Sequence, residues 1–211
     1  MDPITIEQSF VCAPKGDWIT RPGQPVATLG APPESHPLPG SQRGLRPLLG
    51  MRQPDCGHLC RVTLQDNGWF ADARTPAVTR LFAHLPINVV TDKLLLAPEE
   101  IRESGFLKRL LPLTSFRAFC VTRLKGGWVV VGTTSPVTAI TVAAGEILTV
   151  RPEAIVAWCG ASPQRFCPKI RLRDVVLPRP SADLYLQFSG EATVWVEGAS
   201  PTAPQPFRKQ G

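Results

Sequence analysis

The chain has 211 residues, of which 43% are hydrophobic and 19% are charged, and it carries a formal net charge of +6. This size and composition predict a soluble globular protein with one substantial core. No apolar run approaches the roughly 20 residues that a membrane-spanning helix needs, which argues against a transmembrane segment. The 23 prolines argue against a mainly helical protein, because proline breaks helices and favours loops.

The N-terminus and the cysteines together indicate a compartment. Met1-Asp2-Pro3-Ile4 has neither the basic region nor the apolar region of a secretory signal. We therefore expect a cytoplasmic protein. In that compartment the six cysteines are expected to be reduced thiols rather than a disulfide framework.

The positive charge is unevenly placed along the chain. Residues 1–60 hold equal numbers of basic and acidic side chains, so the whole excess falls in residues 61–211. Such an excess permits an acidic partner, such as nucleic acid or an anionic membrane surface, without requiring one.

Residues 1–55 form the least regular part of the sequence. Prolines and glycines recur there, and a stretch of this composition buries little apolar surface to offset the entropy of ordering it. Two alternatives stay open: a disordered tail, or an extended arm that lies on the domain and is anchored by side chains such as Trp18. We accordingly divide the chain into this arm, a β-rich domain over residues 56–200 and a flexible tail over residues 201–211.

A cysteine–histidine cluster follows the arm. Cys56, His58 and Cys60 are side chains of the kind that bind zinc. A structural zinc site needs a fourth ligand, and a second cysteine pair normally follows at a recognisable distance. The other cysteines are scattered. The sequence therefore favours incidental or buried cysteines, and we predict no metal.

Short strands are predicted between residues 60 and 96. Cys60–Leu64 alternates apolar and polar residues, and a turn follows it. Residues 86–90 and 93–96 predict a hairpin or two linked strands. His84 has an apolar pair on either side and is expected to be a structural residue rather than a ligand or a base.

Residues 98–111 predict one short amphipathic helix. Pro98 suits the first helical position, and Glu99 and Glu100 suit the positive end of the helix dipole. Apolar residues form one strip along this helix, and Pro112 ends it. We expect the strip to pack on a sheet or in a subunit contact, with a membrane surface as the alternative.

The rest of the chain predicts an all-β domain. Its apolar runs are short, are rich in β-branched and aromatic residues, and are bounded by glycine or proline. Six of these runs are expected to be strands: residues 126–132, 137–142, 146–150, 153–158, 183–188 and 192–196.

Four local patterns carry a resemblance to a known family. They lie at residues 105–111, 126–132, 140–158 and 186–196, and they include the run Gly126-Gly127-Trp128-Val129-Val130-Val131-Gly132. In their order and spacing they are similar to the family named for altered inheritance of mitochondria, protein twenty-four, and the chain resembles its bacterial members. Ala192 departs from the family pattern, which has a glycine at this position.

The resemblance implies a fold like that of the tryptophan RNA-binding attenuator protein. That fold is a short double-stranded β-helix with β-repeats about a pseudo-threefold axis. The sequence suggests repeats independently, because residues 127–132 and 190–198 are both glycine-bracketed strands with valine and tryptophan, spaced as repeats of an all-β unit would be.

A cupin-like metal-dependent enzyme is the catalytic alternative for a double-stranded β-helix. Such a site needs two or three histidines and a carboxylate inside the barrel. The chain has three histidines, His36, His58 and His84, and none lies in residues 85–211, where most of the predicted strands fall. No motif places a base beside a nucleophile. We therefore predict a protein that is not an enzyme and has no cofactor.

The best candidate contact site is a basic stripe formed by Lys169, Arg171 and Arg173. On a strand these three side chains share one face, which suits phosphates, while the intervening residues are apolar. An ordinary solvated face is the alternative, and base stacking is not expected because aromatic residues are missing there. We predict a homo-oligomeric binding or scaffold protein, with nucleic acid or anionic lipid as an alternative partner.

Overall fold

The computed structural model of this chain describes residues 4–7, 9–38, 59–72, 74–110, 119–166 and 185–198, except for the side chains of residues 103–110, 119–120 and 165–166. These residues form β-strands and three single-turn 3₁₀ helices. Within these ranges no helix reaches seven residues, and none is long and apolar enough to cross a bilayer. The all-β fold class predicted from the sequence is confirmed.

The described strands are numbered in chain order. The first seven are β1 (Thr5–Glu7), β2 (Phe10–Ala13), β3 (Gly16–Thr20), β4 (Ala27–Thr28), β5 (Glu34–Pro37), β6 (Cys60–Leu64) and β7 (Gly68–Phe70). The next six are β8 (Ala77–Ala83), β9 (Ile87–Val90), β10 (Leu94–Pro98), β11 (Arg102–Leu110), β12 (Phe119–Leu124) and β13 (Gly127–Thr133). The last six are β14 (Val137–Val142), β15 (Ile147–Val150), β16 (Ile155–Gly160), β17 (Gln164–Phe166), β18 (Tyr185–Ser189) and β19 (Ala192–Glu197).

Two six-stranded antiparallel sheets share one strand order. The first runs β5-β6-β3-β10-β13-β8, and the second runs β11-β12-β9-β16-β19-β14. Each strand of the second sheet is six positions further along the chain than its counterpart in the first. The chain therefore repeats a six-strand unit, which confirms the predicted β-repeats at the level of strand pairing.

The two smaller sheets show that the chain contains three such units, and that each six-stranded sheet combines three strands of one unit with three strands of the next. β2-β7-β4 pair in the same way as β8-β13-β10 and β14-β19-β16, and β17-β18-β15 pair in the same way as β5-β6-β3. The units are therefore β2–β7, β8–β13 and β14–β19, and β1 is an additional strand on the edge of β2. The glycine-bracketed strands predicted to be repeats are β13 and β19, which occupy equivalent positions, and β7 is their third counterpart.

Neighbouring units are joined by one strand pair. β10 of the second unit pairs with β3 of the first through Ala97↔Ile19, and β16 of the third unit pairs with β9 of the second through Ala157↔Val89. The third equivalent pair would join β4 to β15, but these strands belong to separate sheets. β4 has only two residues and therefore offers little edge to pair with.

Three apolar clusters fill the space between the sheets. Because strand side chains alternate between faces, each cluster draws on the inward residues of several strands. Trp18 and Phe70 belong to the cluster of the first unit, Leu94 to that of the second, and Trp158 and Phe188 to that of the third. Each cluster also includes residues of a neighbouring unit, such as Val130 in the first cluster, Ile19 in the second and Val121 in the third, so the cores join the units.

The helix predicted over residues 98–111 is wrong. Pro98 ends β10, Glu99–Ile101 form a 3₁₀ turn, and Arg102–Leu110 form β11. β11 pairs with β12 as β5 pairs with β6, so this segment takes the place that the repeat gives it. A helix of this length is marginal on its own, and tertiary pairing overrides its local propensity.

The described part of the proline-rich segment contributes strands to the sheets. β3 lies between β6 and β10, and Trp18 and Ile19 are buried. β4 and β5 pair with β7 and β6. Residues 39–58 and 199–211 lie outside the described residues, so the domain limits predicted from the sequence stay predictions.

Candidate binding surface

Most of the predicted site residues fall outside the described ranges. These are Lys169, Arg171 and Arg173 of the basic stripe, together with Cys56 and His58, and their predicted roles stay predictions. Cys60, in β6, is a free thiol buried in the first apolar cluster. Across the part of the chain that the structure describes, no three histidine, cysteine or acidic side chains could jointly hold a metal ion.

Several charged side chains hold the units together. Lys93, between β9 and β10, forms an ion pair with Glu197 of β19 and donates a hydrogen bond to the carbonyl of Glu153 at 2.9 Å. The backbone N–H of Thr134 donates to the other carboxylate oxygen of Glu197 at 2.9 Å. These contacts connect turns of the second and third units and leave the two charges largely buried.

A second ion pair stabilises the first unit. Arg21 Nη2 lies 2.7 Å from Asp72 Oδ2, and Arg21 Nη1 donates to the carbonyl of Asp92 at 2.7 Å. Burial by itself would raise the pKa of Asp72, but the backbone N–H of Arg74 and the guanidinium of Arg21 outweigh burial and lower it. Asp72 therefore serves the fold as a carboxylate.

A group of exposed side chains on β8 has no such structural role. β8 is the edge strand of the first six-stranded sheet. Leu81 and Ala83 point inward and are buried, whereas the alternating residues Arg80 and Phe82 are exposed. Phe82 leaves 56% of its surface accessible to solvent, so its ring is available to a partner.

The neighbouring strand β13 adds an indole to this face. Trp128 lies opposite Phe82 in the strand register, and directly opposite residues of antiparallel strands share a face. Arg80 Cζ lies 4.9 Å from the centroid of the Trp128 ring, which is a cation–π distance. Trp18 supports the indole from below, with the ring centroids 5.8 Å apart. Trp128 therefore holds the guanidinium of Arg80 in place.

The turn after β8 extends the exposed face. The His84 ring meets Phe82 edge to face, with centroids 4.8 Å apart and planes at 88°. Leu85 is 56% exposed. We call Arg80, Phe82, His84, Leu85 and Trp128 the β8 surface.

A glycine allows a basic turn to approach the β8 surface. A Cβ atom on Gly126 would lie 2.5 Å from the carbonyl oxygen of His84, which is too close for any other residue without a backbone shift. The turn from β12 to β13 therefore passes directly against His84. It places the exposed residue Lys125 beside this end of the β8 surface.

The β8 surface combines apolar area with positive charge. Single exposed apolar residues are ordinary, but Phe82 and Leu85 are exposed within three residues of each other along the chain, and Arg80 is exposed on the same face of β8 as Phe82. Aromatic residues and arginine are the side chains that most often dominate binding energy at interfaces. Guanidinium groups also bind phosphate and carboxylate oxygens. The β8 surface therefore presents exposed apolar and positively charged groups together.

Sequence reasoning missed this surface. His84 was expected to be a structural residue, and the structure places it exposed beside Phe82. The available signal was the alternation of residues 79–83, Thr-Arg-Leu-Phe-Ala, which is typical of a half-buried strand. The pairing of β8 with Trp128 could not be predicted, because it depends on the register between distant strands.

Comparisons with known proteins support the fold. The structure is similar to the crystal structure of a Streptococcus pyogenes protein determined by the Northeast Structural Genomics Consortium, with a TM-score of 0.63, 15% identity and 94% of each chain covered. A likeness at this identity shows the fold alone, because one fold hosts many functions. No protein-family model matches the chain, and no curated protein matches it.

Proposed function

We propose that this protein is a non-catalytic binding or scaffold module, like the altered-inheritance-of-mitochondria family that it resembles. One observation supports this proposal above the others: the β8 surface exposes Phe82 and Leu85 next to Arg80. Exposed apolar and aromatic groups beside an arginine form the usual centre of an interface. An edge strand also offers unpaired main-chain groups to a partner.

Site-specific photo-crosslinking in cells tests this role. A photoreactive amino acid in place of Phe82 is expected to give one discrete, light-dependent product with a partner. The same replacement at Ile147 is the control, because Ile147 is 63% exposed and lies on β15 in another sheet. No product at position 82, or the same products at both positions, contradicts a binding role for the β8 surface.

A polyanion is the second candidate partner, and the Arg80–Trp128 pair favours it. A guanidinium stacked on an indole keeps its N–H groups for phosphate oxygens, and the exposed ring of Phe82 is a platform for a base. The net charge of +6 attracts such a partner at long range. The basic stripe predicted at Lys169, Arg171 and Arg173 is a further candidate contact for a polyanion.

Binding measurements at two salt concentrations test the polyanion directly. A labelled single-stranded oligonucleotide and vesicles with anionic lipid are the probes, and binding to either is expected to weaken steeply from about 50 to 200 mM salt. Arg80→Gln with Phe82→Ser should weaken binding more than Arg43→Gln, which removes the same single positive charge and is the matched control for charge. Equal losses would mean non-specific attraction, and no binding at low salt would contradict a polyanion partner.

A further inference from the structure

Among the residues that the structure describes, β14 has an unpaired outer edge, and it belongs to a different sheet from β8. Its inner side pairs with β19 over six consecutive residues, from Val137↔Glu197 to Val142↔Ala192, with no irregularity. Its outer side has no strand partner among the described residues. A regular strand of this kind leaves a row of N–H and C=O groups ready to pair with another strand.

The β14 edge lacks the features that normally keep edge strands apart. Val137–Val142 reads Val-Thr-Ala-Ile-Thr-Val and contains no charged residue, no proline and no bulge. Natural edges are usually protected by lysine, proline or a bulge. The equivalent edge strand β8 contains Arg80. The absence of charged residues is therefore a feature of β14 and is not common to the equivalent strands of the other units.

The first unit shows what can occupy this position. β2 is the counterpart of β14, and its outer edge is covered by β1. The two strands pair antiparallel, with Thr5 opposite Cys12 and Glu7 opposite Phe10. The outer edge of the repeat is thus compatible with one further antiparallel strand.

We propose that β14 of a second copy of this chain occupies the β14 edge, so that the protein dimerises by antiparallel strand pairing. Identical antiparallel strands are related by a twofold axis, which is the commonest symmetry of homo-oligomers. Two chains that each carry a charge of +6 repel one another. The two chains therefore approach each other most favourably along a strand without charged residues, and β14 is such a strand.

The twofold axis fixes the geometry of this interface. The axis stands perpendicular to the sheet. Rotation about it does not turn the sheet over, so equivalent residues of the two copies lie on the same face of the joined sheet. Ala139 then lies opposite the same residue or Thr141 of the second copy. Main-chain hydrogen bonds join the two six-stranded sheets into one, and the exposed side chains Thr138, Ala139 and Thr141 are small enough to let the backbones approach.

This inference does not depend on the function proposed for the β8 surface, and measurement of molecular mass in solution tests it. Light scattering and sedimentation of the full chain should show a concentration-dependent dimer. Ala139→Lys with Thr141→Lys adds like charges on both sides of the axis and should weaken dimerisation by about tenfold or more. Ile147→Lys with Thr149→Lys adds the same charge on two exposed residues of β15; it is the control and should leave the dimer intact.

Chemical crosslinking provides a second measurement that does not depend on the stability of the lysine variant. Ala139→Cys should give a covalent dimer with a short bismaleimide, because opposite or diagonal residues of paired strands lie within about 8 Å. Thr149→Cys and the unsubstituted chain give the background from the native thiols. A monomer at all concentrations, a dimer unaffected by the lysine pair, or equal crosslinking from positions 139 and 149 would overturn the proposal.

Discussion

β8 and β14 occupy the same position in successive units, yet they present different chemistry. Each ends a six-stranded sheet. β8 exposes Arg80 and Phe82, whereas β14 has no charged residue and exposes Thr138, Ala139 and Thr141. The third counterpart, β2, is covered by β1.

The difference between β8 and β14 shows which positions of a repeat protein can vary in sequence. β13 and β19 pair with strands on both sides and contribute buried residues to the cores, so both keep a valine- and tryptophan-rich sequence. An edge strand pairs on one side only, and its outward residues can change without loss of the core. The repeated interior therefore specifies the fold, and we assign the different partners to the edges.

The largest effect is expected from damage to the buried core, to which the β14 residue Val142 contributes. Trp158 and Phe188 are buried and pack edge to face in the third cluster, with ring centroids 6.0 Å apart. Trp158→Ala or Phe188→Ala should lower the free energy of unfolding by about 3–5 kcal/mol. Denaturant melts measure this loss, and unchanged midpoints in both variants would contradict the assigned core.

A smaller effect is expected from the turn that supports the β8 side alone. Gly126→Ala would place a Cβ atom 2.5 Å from the carbonyl oxygen of His84 and should cost about 1–3 kcal/mol of stability. Gly198→Ala is the matched control, because a Cβ atom there meets nothing within 4 Å. Equal melting temperatures for the two variants would mean that the turn does not press against β8.

Acid should weaken the first unit through Asp72. The pKa of Asp72 is lowered in the folded protein, so its contribution is present above the ordinary carboxyl value of about 4 and is lost as the pH falls through the lower folded value. Asp72→Asn should therefore cost about 1 kcal/mol at pH 7 and less at pH 3. Stability curves measured against pH test this, with the exposed residue Asp66→Asn as the control.

The smallest effect on stability is expected from the β8 surface itself. Arg80→Gln and Phe82→Ser should change the free energy of unfolding by less than about 1 kcal/mol, because both side chains are exposed. The same variants should lose partner binding. A large loss of stability would mean that these residues belong to the scaffold and would weaken their assignment to recognition.

Much of the fold could be predicted from the sequence where the pattern is local. Cys60–Leu64 and Val137–Val142 were predicted with the strand limits that the structure shows, because alternating β-branched residues between turns determine a strand. Residues 98–111 were predicted as a helix because the spacing of their apolar residues fits a helix as well as a strand. Only the pairing of β11 with β12 shows that the segment is a strand.

The candidate site was less accessible to prediction than the fold. The β8 surface depends on the register that sets Phe82 opposite Trp128 and on the turn at Gly126, and neither is encoded in a local motif. The open edge of β14 likewise follows from its place in the sheet and not from its residues alone. The basic stripe around Arg171 lies outside the described residues and stays a prediction.

Amide hydrogen exchange measured at several protein concentrations tests most directly whether β8 and β14 have different partners. As the concentration rises, the amides of β14 that do not bond to β19 should gain protection through pairing with a second copy, while those of β8 should stay unchanged. Protection of β8 in place of β14, or equal protection of both, would contradict the division of roles between these two edges.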